Sequence, residues 1–356
     1  MAAIDIVLSG DILPTRRLID PPPAPAAIYE TVRAADLAIG NFEMSCSERG
    51  TRVQKLLNIR APATTAADAP VLGFDVLTLA NNHAVDYGWE ALADTRDSLV
   101  RGGIAVVGVG ETRSEAARPS FHDAGGIRVG VIAFSCLTPT GMSASDERPG
   151  LSPIHVRTAY EIDPWYQMEE PGDPSVLRVR TEVAADDLGF ATGAVRAAKA
   201  GCDFLVVTIH WGFGSGEDLA EYQLPLARAL IDAGADVIHG HHPHAIHGIG
   251  FHAGKPIFFS AGTFIGQQVF LDAAPQVQAL WAAMSPDGYL ARLRVAGGKT
   301  ESIALLPTTL DAARLPVRAE GEVSDRIFER LARLSAPLGA IVERTPEGMA
   351  VRPAST

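Results

Sequence analysis

Three imidazoles fall within four residues in Gly240-His241-His242-Pro243-His244, directly after the mostly apolar run Ala235-Asp236-Val237-Ile238. A short apolar run that stops at such a segment reads as a buried strand delivering its end to a loop. Histidine has little packing value at a strand end, and neutral imidazole is the commonest nitrogen ligand of zinc-like ions. Four further strand-like runs end in metal-ligand or acid–base residues: Gly10-Asp11, Asn41-Phe42-Glu43, Asn81-Asn82-His83 and His210-Trp211-Gly212. Each alone has a bland reading as a turn or core residue. Their joint occurrence is hard to obtain from turn propensity.

The donors are of mixed type. Asp11 and Glu43 offer hard anionic oxygens, Asn82 a neutral carbonyl oxygen, and His210, His242 and His244 imidazole nitrogens. That set is too large for one tetrahedral ion with an open position. It suits two adjacent divalent ions, and manganese, zinc and iron all accept such donors. Such a pair generates hydroxide near neutral pH and polarises the scissile group. His83 follows Asn82 directly, so in an extended chain the two side chains diverge. It is read as the general acid. Asp86, three residues on, either orients that imidazole or caps the following helix. Arg16 is read as a bidentate clamp for a carboxylate or phosphate, or as a solvated side chain. Asn41, Trp165, Trp211 and His241 are the further expected substrate-side residues, with His241 alternatively lying behind the ligands. His239 is expected to point away from His242 and His244. His122, His155, His252 and Glu221 are read as structural.

Alternating elements must carry these groups. Strands are expected over Ile4–Leu8, Leu37–Gly40, Phe74–Ala80, Ala105–Val109, Arg128–Phe134, Phe204–Ile209, Val237–His239 and Ile257–Ser260. Helices are expected over Ala26–Ala35 after the Pro21-Pro22-Pro23 break, and over Trp89–Arg101, Ala191–Ala200 and Glu221–Ala233, most closed by glycine. Alternation of this kind implies βαβ units and a layered α/β fold, and in open α/β sheets ligands bind beyond the carboxyl ends of the strands. Tyr289–Val295 and Glu301–Leu306 read as edge strands, and Ser324–Leu334 as a last helix with Ser324 as its N-cap. One compact domain is expected over 1–356, with C-terminal strands and helix within 289–340. The irregular stretch 140–187, bearing Tyr160, Trp165 and Tyr166, reads as a lid or inserted loop.

Composition narrows the function. The 356 residues are 47% hydrophobic and 20% charged, an ordinary globular balance. A formal net charge of −12 repels nucleic-acid phosphates and anionic headgroups, so neither nucleic acid nor membrane is expected as partner. Cys46, Cys136 and Cys202 are too few and too scattered for a disulfide framework. Met1–Leu8 runs straight into a strand pattern without a signal-peptide h-region, and no apolar run reaches spanning length. The expectation is a soluble cytoplasmic protein of undetermined oligomeric state acting on a small anionic substrate.

The motifs together resemble the poly-γ-glutamate capsule-synthesis (CapA) family, a branch of the calcineurin-like metallophosphoesterase superfamily. The matching stretches are Gly10-Asp11 with Arg16, Asn41-Phe42-Glu43, Leu79-Ala80-Asn81-Asn82-His83 with Asp86-Tyr87-Gly88, His210-Trp211-Gly212, Ala233-Gly234-Ala235-Asp236 leading into Gly240–His244, and Ser260-Ala261-Gly262-Thr263-Phe264. The resemblance covers roughly Ile4 to Phe264. It implies a four-layer α/β/β/α sandwich of the metallophosphoesterase type, with a binuclear metal centre at the strand ends built from Asp11, Glu43, Asn82, His83, His210, His242 and His244. Leu13 stands where the wider superfamily carries the histidine of Asp-x-His. Phe213 follows His210-Trp211-Gly212 where an acidic residue is common, and Gly262-Thr263-Phe264 replaces Gly-Asn-Phe. The expected activity is a metal-dependent hydrolase in which hydroxide attacks an amide or related C–N bond of a γ-glutamyl-like substrate. A phosphoesterase using the same site is the alternative, and a non-catalytic accessory protein of poly-γ-glutamate capsule synthesis is another.

Overall fold

The computed structural model describes residues 3–214 and 216–354. Two sheets carry the fold. The larger has ten strands, with Ala340–Thr345, Gly348–Pro353, Lys299–Leu310, Asp287–Ala296, Ala3–Leu13, Leu37–Phe42, Val76–Thr78 and Ala105–Val107 side by side, and with Thr263–Gly266 and Pro316–Arg318 attached. The smaller has six, in the order Ile249–His252, Lys255–Phe258, Val237–His241, Phe204–His210, Ile127–Ser135 and Ser120–Ala124. Strands Ala3–Leu13, Leu37–Phe42, Val76–Thr78 and Ala105–Val107 are mutually parallel, as are Ile127–Ser135, Phe204–His210, Val237–His241 and Lys255–Phe258.

The side-chain period of two explains how the sheets pack. In the first strand Ile4, Ile6 and Leu8 enter one core, and Val7 enters another. In the small sheet Phe204 and Val206 join Ile4 and Ile6, whereas Leu205, Val207 and Ile209 face the opposite way. The shared core therefore lies between the two sheets. The second core is closed by Ile28, Tyr29 and Val32 of the helix Pro23–Arg33. The third is closed by Ala191, Val195 and Ala198 of Ala185–Lys199 and by Leu226, Ala227 and Leu230 of Gln223–Asp232. Burial on both faces is why these central strands read as nearly continuous apolar runs. The architecture is thus mixed α/β around large sheets, as expected.

Three local expectations differ. Ser324 lies inside the helix Gly321–Ser335, whose N-cap is Glu320, because the backbone turns in at Gly321 with φ 53°. The stretch 140–187 is not irregular throughout. It holds an antiparallel hairpin, Val156–Ile162 with Leu177–Val183, closed by the short helix Pro164–Glu169. Its second strand does alternate, Leu177-Arg178-Val179-Arg180-Thr181-Glu182-Val183, but both strands are largely exposed, and the surrounding glycines, prolines and charges mask the pattern. The hairpins Ser120–Ala124 with Ile127–Ser135 and Ala340–Thr345 with Gly348–Pro353 extend the sheets beyond the expected strands. All three cysteines are free, and no described helix is long and apolar enough to cross a membrane.

Candidate metal centre

The first ligand is placed by an irregular strand. Pairing of Ala3–Leu13 with Leu37–Phe42 shifts register between Leu8 and Asp11, and pairing with Thr263–Gly266 shifts between Asp11 and Ile12. Such a bulge re-aims a side chain at a sheet edge. A Cβ on Gly10 would fall on the Gly262 carbonyl oxygen, so only glycine lets these strands approach here. The Asp11 N–H donates to that carbonyl at 3.0 Å. Glu43 follows the next parallel strand, with its N–H on Ile12 O at 2.9 Å.

Asparagines hold the carboxylates from beneath. Asn41 Nδ2 donates to Asp11 Oδ1 at 2.8 Å and to Glu43 Oε2 at 3.3 Å. Its own Oδ1 accepts from Asn81 Nδ2 at 3.0 Å, and Asn81 Oδ1 accepts from His83 N at 3.1 Å. Asn41 is fully buried in this network. It is therefore a support of the centre and not the substrate-binding residue expected.

The small sheet brings the imidazoles. His210 and His241 are register partners at the ends of adjacent parallel strands. Beyond them the backbone turns through His242 with φ 101° and His244 with φ 50°. Left-handed conformations at non-glycine residues are costly and persist where the surroundings over-determine them. The turn sets His242 N–H on Asp11 Oδ2 at 3.2 Å and His244 Nδ1 3.2 Å from the same oxygen. His210 Nε2 lies 2.6 Å from Asn82 Oδ1 and 3.5 Å from Glu43 Oε1. His241 Nδ1 lies 3.5 Å from Asp11 Oδ1, while its Nε2 meets Thr208 Oγ1 at 3.0 Å. His241 is thus buried behind Asp11 instead of lining a substrate space. His239 faces away as expected, with Nε2 at 2.7 Å from Ser9 O.

Two donor groups result, Glu43–His210–His242 and Asp11–Glu43–His244, each with ligand atoms within 4.8 Å of one another. Glu43 belongs to both. Its Oε1 and the Nδ1 atoms of His241, His242 and His244 are buried without a hydrogen-bond partner. Orphaned buried polar atoms of this kind need an explanation, and an unseen ion is one. The residues present could hold metal, with Glu43 common to both groups.

Electrostatics agree. Burial raises the pKa of Asp11, but the imidazoles of His241 and His244 outweigh it and hold the carboxyl well below its ordinary range. Burial and the neighbouring charge of Asp11 push Glu43 well above its ordinary range, a load that a cation relieves. Burial, reinforced by His242, drives His210 far down, and burial with His244 lowers His242 to about 3. These imidazoles keep free lone pairs at neutral pH.

His83 stands beside the ligands. Its Nδ1 is 2.7 Å from Asp86 Oδ2. Asp86 does not cap the next helix, whose N-cap is Tyr87. It instead also accepts from Ile59 N at 2.7 Å and from Lys55 Nζ at 2.5 Å. Lys55 Nζ further donates to the Asn82 carbonyl and lies 3.4 Å from His83 Nδ1. Burial lowers the pKa of His83, Asp86 raises it, and Lys55 lowers it again; the net direction is down. Lys55, Asn81 and Asn41 in its supporting role are the residues that sequence reading misses. Asn81 falls within a matching motif, whereas a lone lysine in the loop after Gly50 carries no periodic signal.

The other expected residues lie elsewhere. Trp211 is fully buried, stacked on Phe259 at 5.4 Å with Nε1 on Phe259 O at 3.0 Å, so it is core and not a substrate contact. Arg16 lies with its guanidinium over the Phe270 ring at 4.0 Å. Trp165 sits near the tip of the exposed hairpin with its side chain 75% exposed.

Known proteins place this arrangement in context. The profile described as bacterial capsule synthesis protein PGA_cap matches residues 5–268. The PGA biosynthesis protein CapA of Bacillus subtilis is 29% identical over 239 residues, covering 66% of this chain and 54% of that protein. The capsule biosynthesis protein CapA of Bacillus anthracis is 28% identical over 241 residues, 67% of this chain and 52% of that protein. The chain therefore spans about half the length of these two curated relatives. A probable polyglutamine synthesis accessory protein of Mycobacterium tuberculosis is 28% identical over 278 residues, covering 77% and 65%. Among solved structures, a hypothetical protein from Thermus thermophilus superposes with a TM-score of 0.47 at 14% identity, over 85% of this chain and 98% of that one. With a family profile that spans most of the chain and every motif of the centre, this protein belongs to the bacterial capsule synthesis protein PGA_cap family.

Proposed function

We propose that this chain is a metal-dependent hydrolase of the metallophosphoesterase type, with layers in the order α/β/β/α, acting on an amide or related C–N bond of a small carboxylate-bearing, γ-glutamyl-like substrate. The observation that carries the reading is Glu43, common to two donor groups whose inward atoms lack partners. Bound divalent ions lower the pKa of water and polarise the bond to be cleaved. Asp11 and Glu43 would hold the ions, with His210, His242, His244 and the side-chain Oδ1 of Asn82. Asn41 keeps both carboxylates aimed. Asp86 fixes His83 by its Nδ1 and so leaves Nε2 for the proton. Because the pKa of His83 is lowered, a proton gained there is held weakly and passes readily to the departing nitrogen. The γ-glutamyl substrate class is supported by the resemblance to the poly-γ-glutamate capsule-synthesis family and by the name PGA biosynthesis protein of the Bacillus subtilis relative.

Phosphoester cleavage at the same centre is the second reading, since the donor set serves either bond. The accessory role named for the mycobacterial relative is the third. Metal analysis of wild type beside His242→Ala separates the two hydrolase readings from the accessory one, and substrate assays then separate the first two. About two equivalents of manganese, zinc or iron, lost or halved in the variant, support the hydrolase and justify assays of γ-glutamyl amides and phosphoesters. Protein that binds no added ion and cleaves neither substrate class overturns it in favour of the accessory role.

A further inference from the structure

Beyond the metal centre, the loop that follows strand Ile127–Ser135 lines, together with Arg113, an open cavity of about 530 Å³. Its lining includes Arg113, Thr138, Ser143, Asp146, Arg148 and His155. Three of the groups around it stand in line. Ser143 Oγ lies 3.0 Å from His155 Nε2, and His155 Nδ1 lies 2.6 Å from Asp187 Oδ2. We propose that Ser143, His155 and Asp187 form a second reactive site, a nucleophile–base–carboxylate triad that cleaves carboxylic esters without metal.

The order of roles follows from the contacts. Asp187, in the first turn of the helix Ala185–Lys199, has its side chain only 8% exposed. It accepts from Arg113 Nη2 at 2.5 Å and from the His155 backbone N–H at 2.7 Å, besides the ring. Burial raises its pKa, but the His155 contacts and Arg113 prevail and keep it ionised. An ionised carboxylate only accepts, so the ring proton is assigned to Nδ1 and Nε2 is left as acceptor toward the serine hydroxyl. This is the arrangement in which imidazole takes a proton from serine.

The backbone holds both reacting groups firmly. Ser143 pairs with Leu151, Ser145 N–H donates to Arg148 O and Ser145 O accepts from the Arg113 N–H, and Ser135 pairs with Pro153, two residues before His155. His155 O accepts from Ala184 N at 2.8 Å, next to the helix that carries Asp187. The imidazole is half exposed and opens onto the cavity. Arg113 and Arg148 line that space with one acid, Asp146. Arg113 is committed to Asp187 and Arg148 Nη2 donates to the Ser143 carbonyl at 3.1 Å, which leaves the remaining N–H groups of Arg148 for an acyl group bearing a carboxylate. Ser143 Oγ attacks the ester carbonyl carbon and its proton moves to His155 Nε2. The C–O bond breaks, and the alcohol leaves with that proton. Water deprotonated by His155 then hydrolyses the acyl-serine, which releases the acid and restores Ser143.

The test uses the full-length protein and a small fluorophosphonate, with adducts mapped by mass spectrometry in buffer containing a strong chelator. The expected result is one adduct on Ser143, absent in Ser143→Ala and formed at least about 100-fold more slowly in His155→Gln, both variants keeping the wild-type melting temperature. For Asp187, a positioning residue, Asp187→Asn should move the ring proton from Nδ1 to Nε2, read from the nitrogen NMR shifts of His155. Folded wild type that gains no adduct on Ser143, or His155→Gln labelled at the same rate, overturns the proposal. Since the chelator strips the other centre, failure here leaves the metal reading standing.

Discussion

Asn41 Nδ2 donates to Asp11 Oδ1 across 2.8 Å, fully buried, between neighbouring parallel strands. Asn41 therefore joins the His242 N–H as a donor of the kind a buried anion requires when no cation is present. Asn41→Leu removes it and leaves the shape of the site. An unsatisfied buried acceptor costs about 1–3 kcal/mol, more when charged. Thermal unfolding of metal-free protein should show a clear fall in melting temperature for Asn41→Leu, partly recovered on adding manganese. An unchanged melting temperature would show that Asp11 is supported by other donors.

Glu43 is the ligand common to both donor groups. Its neutral isostere, Glu43→Gln, should therefore lose more metal than loss of any single histidine. Elemental analysis should give about one equivalent or less where wild type holds about two. Retention of full stoichiometry by Glu43→Gln would rule out a bridging role.

His83 and Lys55 should separate chemistry from metal binding. His83→Asn is expected to lower kcat by roughly 100- to 10,000-fold with metal content unchanged, the ordinary range for loss of a positioned acid. Lys55→Met leaves Asp86 without its lysine and should shift the alkaline limb of the pH–rate profile upward, because Lys55 depresses the pKa of His83, the acid that limits the rate at high pH. A profile identical to wild type would detach Lys55 from the relay.

Stability should fall in acid partly through Asp187. Its folded-state pKa lies below the ordinary value of 3.8, so its contribution is complete above that value and fades as pH drops through the lower, folded one. Urea unfolding at decreasing pH should therefore show a shallower acid loss for Asp187→Asn than for wild type, with the variant less stable at neutral pH. Parallel curves would exclude the linkage.

Much of the centre is legible in the sequence because each ligand terminates an apolar run, and burial on both faces makes such runs stand out. Asp11, Glu43, Asn82, His210, His242 and His244 all carry that signal, and the structure brings them together. What escapes has a physical reason in each case. Trp211 follows a ligand in sequence, but adjacent strand residues point to opposite faces, so it turns into the core against Phe259. His241 precedes His242, yet the left-handed turn at His242 redirects the chain after it. Lys55 reaches Asp86 from an irregular loop that no periodicity marks. His155 reads as structural because nothing in the sequence brings it near Ser143 or Asp187; the hairpin between them does.

The register slip that aims Asp11 has a consequence in time as well as space. His242, whose N–H meets it, lies 231 residues later in the chain. A growing polypeptide emerges from the N-terminus first, at about 5–20 residues per second. For roughly ten seconds or more after its synthesis, the acidic half of the cage waits for the basic half, and long-range closure of this kind is slow. The nascent chain cannot assemble this set of donors until the central strands of the second sheet have been made, so capture of an ion there would report that the two sheets have met.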